Sequence, residues 1–221
     1  MRLLGEFLAN SGHVVRGMLL PGHGTRPEDL EGVVWQDWYE HLDDEHRALK
    51  GAYSSVYLVG FSIGAALSAH YAIHNPVDRL VLLSLPLCPL NDRFPTSLML
   101  KLYSVFFKEV RGRPARAMDS NGDFAGSVYN RVPTAILHTM SELVDIVREN
   151  LNRIDAPALI IQSRNDPVSG SKSGPLAFRR MRSPEKQILM LERSGHSVIM
   201  DVERELVCER VASFLNGNCS A

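Results

Sequence analysis

The stretch VYLVGFSIGAALSAHYA, residues 56–72, decides the fold of this chain. It begins with Val56–Val59, a short apolar and β-branched run that is typical of a buried strand. Small helix-forming residues follow at 65–72, and Gly60-Phe61-Ser62-Ile63-Gly64 lies between the two segments. A strand, a sharp turn and a helix in this order predict an α/β protein with Ser62 on the turn.

The five residues of the turn match the pattern G-x-S-x-G, in which the serine of a strand-to-helix turn serves as a nucleophile. We expect both glycines to be necessary, because a side chain at either position would collide with the neighbouring strand or helix. The pattern is short enough to occur by chance, and a glycine-rich turn with a capping serine is the structural alternative. The flanking strand and helix favour the catalytic interpretation.

Two further side chains stand where such a nucleophile needs them. A serine requires a base to accept its proton and an acid to orient that base. Asp166, in SRNDPVS, follows the predicted strand 158–162, and His196, in ERSGHSV, follows the predicted strand 187–191. The carboxyl ends of parallel strands share one edge of a sheet, so this order predicts a triad of Ser62, Asp166 and His196. The alternatives are that Asp166 only initiates a turn and that His196 is an ordinary loop residue.

The rest of the chain adds alternating strands and helices. Apolar runs predict strands at 13–20 and 79–85, and amphipathic spacing predicts helices at 35–49 and 202–215. In a first helix, the predicted inner stripe consists of Leu3, Leu4, Phe7 and Leu8; in the last helix, it consists of Leu206, Val207, Val211, Phe214 and Leu215. This alternation predicts a mostly parallel sheet that helices cover on both faces.

The segment between 86 and 154 has a different pattern. It shows helical periodicity, for example at 134–151, and no good strand. A block of this kind between two core strands is most simply a helical cap over one end of the sheet. We therefore expect a core formed by residues 1–85 and 155–221, with the cap inserted at 86–154.

The composition sets limits on the function. A length of 221 residues suits one domain, and a net charge of −1 gives no field that would attract nucleic acid. No apolar run reaches the length of a membrane-spanning helix. The three cysteines, Cys88, Cys208 and Cys219, lack metal-binding spacing and are expected to be free thiols in a reducing compartment. These observations predict a cytoplasmic protein with no nucleic-acid partner and no membrane span.

Taken together, the motifs resemble those of α/β-hydrolases of the carboxylesterase and monoacylglycerol-lipase type. The resemblance covers nearly the whole chain, through Leu20-Pro21-Gly22-His23-Gly24, Asp37-Trp38, the pentapeptide around Ser62, Asp155-Ala156-Pro157, Asp166 and Ser194-Gly195-His196. It implies that Ser62 is the nucleophile, His196 the general base and then acid, and Asp166 the orienting carboxylate. It also implies that the backbone N–H of Ile63 is one oxyanion donor and that the segment 86–154 shapes an acyl pocket. No metal or organic cofactor is expected.

The chain departs from that family at its beginning. Members begin with two or three further strands, and the third ends in a His-Gly loop that supplies the second oxyanion donor. The comparison implies that these strands, and the donor that they carry, are absent here. The exposed sheet edge that results predicts a homodimer or a larger homo-oligomer.

A substitute for the missing donor is conceivable from the sequence. A shift of the strand 13–20 onto Val56–Val59 would bring the next loop beside the nucleophile. A backbone N–H of Gly22, His23 or Gly24 is then the candidate second donor. The alternative is that this loop is only a turn at the mouth of the pocket.

The sequence therefore predicts a serine ester hydrolase that acts on short- to medium-chain acyl esters through an acyl-enzyme. The predicted acyl site contains Phe61 beside the nucleophile and Leu102, Phe106 and Met140 from the cap, although such an apolar stripe is more often only packing. The alternative from another class is a degenerate α/β-hydrolase that binds a small ligand or a partner with little or no turnover. The complete set of triad side chains favours the enzyme.

Overall fold

A four-stranded parallel sheet forms the centre of the computed structural model, which describes residues 1–87, 109–111 and 131–217. In chain order the strands are β1 (Tyr57–Phe61), β2 (Arg79–Leu83), β3 (Glu109–Arg111), β4 (Arg131–Pro133), β5 (Ala158–Ser163) and β6 (Lys186–Leu191). The central sheet has the order β1-β2-β5-β6, and each neighbouring pair is parallel. The carboxyl ends of its strands therefore lie at one edge, which confirms the predicted α/β fold.

Helices cover both faces of this sheet. They are α1 (Arg2–Asn10), α2 (Trp35–Ala52), α3 (Ile63–His74), α4 (Thr134–Asn150), α5 (Ser173–Arg180) and α6 (Arg204–Leu215), with short 3-10 turns at Pro27–Leu30 and Leu151–Arg153. Helices α1 and α6 pack on one face, and α2 to α5 pack on the other.

The pleat of β2 shows how one strand serves both layers. Leu80 and Leu82 belong to the hydrophobic cluster under α2 to α5, whereas Val81 and Leu83 belong to the cluster under α1 and α6. Successive side chains of a strand point to opposite faces, so a strand buried on both sides must be a continuous apolar run. This requirement explains why the sequence RLVLL carries no polar alternation.

The predicted strand at 13–20 is wrong. This segment has no regular secondary structure, and the side chains of Val14 and Leu19 are 73% and 63% exposed. Within the described residues the sheet ends at β1, whose partner is β2, so 13–20 does not pair with Val56–Val59. An apolar run becomes a strand only where a neighbouring strand accepts its backbone hydrogen bonds, and periodicity cannot reveal that neighbour.

Three smaller expectations also need correction. The last helix begins at Arg204, and Leu206 is 45% exposed although Val207, Val211, Phe214 and Leu215 are buried.

In α1, the predicted inner stripe is only half buried. Leu4 and Leu8 are buried, whereas Leu3 and Phe7 are partly exposed. The segment 86–154 contains the helix expected near 134–151, but β3 and β4 form a short antiparallel pair where no strand was expected. Strands of three residues are too short to show periodicity.

Two compositional expectations can be placed on the structure. Among the described residues, no helix combines the length and the apolar character that a bilayer crossing requires. Cys208 has a free thiol and is buried on α6, while Cys88 and Cys219 lie outside the described residues.

Candidate active site

The turn between β1 and α3 holds Ser62 in an unusual backbone conformation. Its φ of 53° and ψ of −120° lie in a region that L-residues rarely adopt. A Cβ at Gly60 would lie 2.6 Å from the Cα of Ala65 and still closer to the carbonyl oxygen of Gly64, so only glycine lets the helix turn back so closely. The same expectation is wrong for Gly64, where a Cβ would meet open space. The turn therefore presents the hydroxyl of Ser62 at the carboxyl edge of the sheet.

The structure brings the three predicted triad side chains together. His196 Nε2 lies 3.0 Å from Ser62 Oγ, and His196 Nδ1 lies 3.0 Å from each carboxylate oxygen of Asp166. Ser62 follows β1, Asp166 follows β5 and His196 follows β6. The carboxyl ends of these three strands lie at the same edge of the parallel sheet. Since an ionised carboxylate only accepts hydrogen bonds, Nδ1 carries the ring proton and Nε2 of the neutral ring can accept the proton of Ser62.

The carboxylate of Asp166 is buried and fully engaged. Its Oδ1 accepts the backbone N–H groups of Val168 and Ser169, and its Oδ2 accepts Gln162 Nε2, each at 2.9 Å. Burial alone would raise the pKa of this carboxyl, but the hydrogen bonds from His196 and from the two backbone groups outweigh it and lower the pKa below its ordinary value. Asp166 is therefore a negative charge at neutral pH, fixed in one orientation beside the imidazole.

A sequence profile described as the alpha/beta hydrolase family matches residues 2–210. The chain belongs to this family. The match includes the β1-turn-α3 unit and the loops that carry Asp166 and His196.

Individual relatives resemble this alpha/beta hydrolase over most of their length. The carboxylesterase of Bacillus subtilis (strain 168) is 26% identical, and the match covers 97% of this chain and 86% of the relative. The thermostable monoacylglycerol lipase of Bacillus sp. (strain H-257) is 28% identical over 97% of this chain and 84% of its own length. A solved structure from work on LipS and LipT, two metagenome-derived lipolytic enzymes, has a TM-score of 0.87 and 26% identity, covering 98% of this chain and 87% of that one. The monoacylglycerol lipase of Paleococcus ferrophilus shares the fold, with a TM-score of 0.80 and 17% identity over 97% of this chain and 88% of its own.

Two carboxylates accept hydrogen bonds from the backbone of the loop that carries His196. Glu203 accepts the backbone N–H of Arg193 at 3.0 Å and both the N–H and the hydroxyl of Ser194, at 2.7 and 2.6 Å. Asp201 accepts the N–H of Gly195 at 2.7 Å. Burial acts to raise the pKa of Glu203, but the hydrogen bonds from Ser194 and its neighbours prevail and lower that pKa from its ordinary value of 4.5. These contacts fix the backbone on which the imidazole is mounted.

Replacing Glu203 with glutamine is expected to lower the free energy of unfolding by about 1–3 kcal/mol at neutral pH, since charge-assisted bonds become neutral ones. A folded-state pKa below the ordinary value means that the contribution of Glu203 is complete above pH 4.5 and is lost as the pH falls through the folded value. The difference between wild type and E203Q should therefore shrink with acidification. Urea unfolding at neutral pH and at several pH values below 4.5 measures both effects. Glu205→Gln, at an exposed position of the same helix, is the control; an equal loss there would contradict the prediction.

The hydrolase presents one clear candidate for an oxyanion donor. Ile63 is the first residue of α3, where backbone N–H groups have no acceptor within the helix. A second donor from the loop 21–24 was predicted on the assumption that 13–20 pairs with β1. Since 13–20 does not pair with β1, that assumption is wrong. The N–H of His23 donates to Leu20 O at 2.9 Å, so it is already engaged in a turn. Donation by Gly22 or Gly24 stays a prediction.

The loop 21–24 is anchored to α2. Trp38 Nε1 donates to Pro21 O at 3.0 Å, and the His23 ring lies edge-on to Trp38 with 5.4 Å between ring centroids. Trp38 itself is fully buried. These contacts agree with the structural alternative, in which the loop is a turn packed on the core.

The predicted acyl-site residues are only partly placed by the structure. The ring centroid of Phe61 lies 5.2 Å from that of His196, so this aromatic side chain borders the triad. Met140 is half-buried on α4 and packs against the hydrophobic cluster beneath it. Leu102 and Phe106 lie outside the described residues.

Several residues that support the triad were not found from the sequence. They are Gln162, Ser84, Ser169 and Glu203, which contact Asp166, His196 or the loop before His196. Ser84 directly follows β2, and Ser169 comes three residues after Asp166. Their positions shortly after a strand could have identified Ser84 and Ser169, because the residues that follow parallel strands lie at the edge of the sheet where the active site forms.

Proposed function

We propose that this alpha/beta hydrolase is a serine carboxylic-ester hydrolase that acts on short- to medium-chain acyl esters. The observation that carries the proposal is the unbroken hydrogen-bonded series from Ser62 Oγ through His196 to the ionised Asp166. The half-buried, strained turn of Ser62 presents its hydroxyl as the proposed nucleophile.

The proposed reaction uses these three side chains and the N–H of Ile63. Ser62 Oγ attacks the ester carbonyl carbon while His196 Nε2 takes its proton, and the carbonyl electrons move onto the oxygen beside Ile63 N–H. When they return, the C–O bond to the alcohol breaks, and His196 gives the proton to the departing oxygen. Water then attacks the acyl-enzyme with His196 again as the base, which releases the acid and restores Ser62.

The substrate class rests on the relatives and on the apolar surroundings. Two relatives that each match 97% of this chain are named carboxylesterase and thermostable monoacylglycerol lipase. Phe61 beside the imidazole and Met140 on α4 supply apolar surface of the kind that an acyl chain contacts. We propose that the segment 86–154 is a cap that limits the length of that chain. Trp35 supports a link between cap and core, because its ring N–H donates to Glu142 on α4 at 3.0 Å.

The competing function is binding without turnover, and the engaged N–H of His23 favours it. Losing one of two oxyanion donors typically lowers turnover by about a hundred- to a thousandfold. The complete Ser62, His196 and Asp166 arrangement favours the enzyme, since ligand binding alone does not require a base in contact with a serine hydroxyl.

Labelling with a fluorophosphonate distinguishes the two functions. An activated Ser62 should form a covalent adduct with loss of fluoride, and peptide mass spectrometry should locate it on Ser62. Ser68→Ala, which alters a buried serine of α3, should label like the wild type. Failure of the folded protein to label, or an adduct on another serine, would contradict the proposed function.

We further propose that the hydrolase associates with a second copy of itself. Within the described residues, β1 has a strand partner on one side only, and the neighbouring segment 13–20 exposes Val14 and Leu19. The ring of His13 lies 6.2 Å from that of Tyr57, which places this apolar segment beside the open edge. Unpaired strand edges flanked by apolar side chains favour pairing between copies. Sedimentation velocity should show a dimer or larger species at micromolar concentration, and a clean monomer would contradict the proposal.

A further inference from the structure

Ser169 contacts both the acid and the base of the proposed triad. Its backbone N–H donates to Asp166 Oδ1 at 2.9 Å, and its Oγ lies 3.3 Å from His196 Nδ1. The same Oγ lies 2.8 Å from the carbonyl oxygen of Ser84. Ser169 is fully buried, so solvent does not compete for its hydroxyl.

The single proton of the Ser169 hydroxyl determines what this group can do for His196. The carbonyl oxygen of Ser84 has no hydrogen of its own, so Ser169 must donate there. Only oxygen lone pairs then face Nδ1, and they accept a hydrogen bond from Nδ1–H. The reverse arrangement, with Ser169 donating to Nδ1, would aim the Nδ1 lone pair at the carboxylate of Asp166 as well.

Asp166 alone leaves the orientation of the imidazole loosely defined. Nδ1 lies 3.0 Å from both carboxylate oxygens, so the same Nδ1–H is shared between two acceptors at the same distance. Ser169 Oγ, three residues farther along the same loop, is a third acceptor at 3.3 Å from Nδ1. The ring is then held in one orientation, with Nε2 directed at Ser62 Oγ.

Ser84 secures the backbone of His196. It follows β2, is fully buried and has a φ of 50°, in the left-handed region that L-residues rarely adopt. Its N–H donates to Ile161 O at 2.9 Å and its Oγ donates to His196 O at 2.7 Å. Its carbonyl oxygen accepts the Ser169 hydroxyl at 2.8 Å. Strain that persists with every polar group bonded is typical of a functional constraint.

We propose that Ser84 and Ser169 are positioning residues that hold His196 with Nδ1 protonated and Nε2 free to accept the proton of Ser62. Ser84 fixes the backbone of His196, and Ser169 fixes its ring. This inference rests on the proposed function, in which Ser62 is the nucleophile and His196 the base.

The decisive variants are Ser169→Ala and Ser84→Gly. S169A removes the third acceptor, and we expect kcat to fall about tenfold with KM little changed, as for one lost hydrogen bond to a group that becomes charged. S84G removes the bond to His196 O but suits the positive φ, so we expect lower kcat without lower stability. Ser183→Ala is the matched control, since Ser183 is a buried serine that donates to Glu185 O before β6.

A spectroscopic readout separates positioning from general destabilisation. In the wild type, nitrogen-15 NMR of labelled histidine should show neutral His196 with Nδ1 protonated and a slowly exchanging Nδ1–H. In S169A that proton should exchange faster or the other tautomer should appear, whereas S183A should match the wild type. Ser169→Thr keeps a hydroxyl and should recover part of the lost kcat; if crowding prevents its folding, Ser169→Cys tests recovery by a weaker acceptor.

Failure of this inference can be told apart from failure of the proposed function. If fluorophosphonate labels Ser62 but S169A and S84G keep the wild-type kcat and nitrogen-15 spectrum, the positioning roles are wrong and the hydrolase stands. If S169A and S84G lose activity only in proportion to the folded protein that they lose, the inference is also overturned. S183A shows how much loss that effect alone produces. If Ser62 is not labelled at all, the proposed function itself has failed.

Discussion

Alanine in place of Ser62 is expected to lower kcat for an aryl butyrate by about a thousandfold or more. The variant removes the atom proposed to form the acyl-enzyme, so only direct attack by water near Ile63 N–H is left. A proposed single oxyanion donor makes the wild type slower than a two-donor enzyme, which limits the size of the measurable drop. Steady-state rates measured at several enzyme concentrations give the ratio.

The folded state of this variant should survive. Alanine keeps the backbone of the turn, and the lost contact is the 3.0 Å hydrogen bond to His196 Nε2. Ser68→Ala applies the same chemical change to a buried serine of α3 and should keep wild-type activity. A folded S62A that hydrolyses the ester at a rate near that of the wild type would rule out the acyl-enzyme.

Asparagine in place of Asp166 is expected to lower kcat by about 10⁴, the scale on which an amide impairs such a relay in other serine hydrolases. The amide NH₂ would face His196 Nδ1 as a donor, so the ring would favour the tautomer with Nε2 protonated. That tautomer cannot take the proton of Ser62. Kinetics at neutral pH measure the loss, and activity within about tenfold of wild type would contradict the role of Asp166.

The same substitution should cost little stability. Amide Oδ1 can still accept the N–H groups of Val168 and Ser169. The side-chain amide of Gln162 can turn over, since its buried Oε1 has no hydrogen-bond partner among the described residues and would then accept the new NH₂. Asp155→Asn, at an exposed carboxylate 3.7 Å from Arg182, is the control for the change in charge. Thermal unfolding of both variants should stay near that of the wild type.

The triad was predictable because its three positions depend on local signals and one general rule. Ser62 lies in a recognisable turn, and Asp166 and His196 each follow a recognisable buried strand. A parallel sheet collects such positions at one edge whatever the details of packing. Sequence order therefore carried enough information to bring together side chains 134 residues apart, as the contact between Ser62 and His196 shows.

The errors concern contacts that no local pattern encodes. The segment 13–20 looks like a strand, but its state depends on a neighbour beside β1. The expectation about Gly64 failed because an open space at the start of α3 is a property of packing. Ser84 and Ser169 lie 85 residues apart, and each is an unremarkable serine until the fold brings its hydroxyl or carbonyl to the other.

The backbone of Ser62 has a consequence for efforts to make this protein resist heat. Holding an L-residue at a φ of 53° costs on the order of 1–3 kcal/mol, and glycine avoids most of that cost. Selecting a library only for folded protein after heating would therefore favour Ser62→Gly, which raises stability but removes the proposed nucleophile. Any directed evolution of this scaffold has to score turnover alongside melting temperature from the first round.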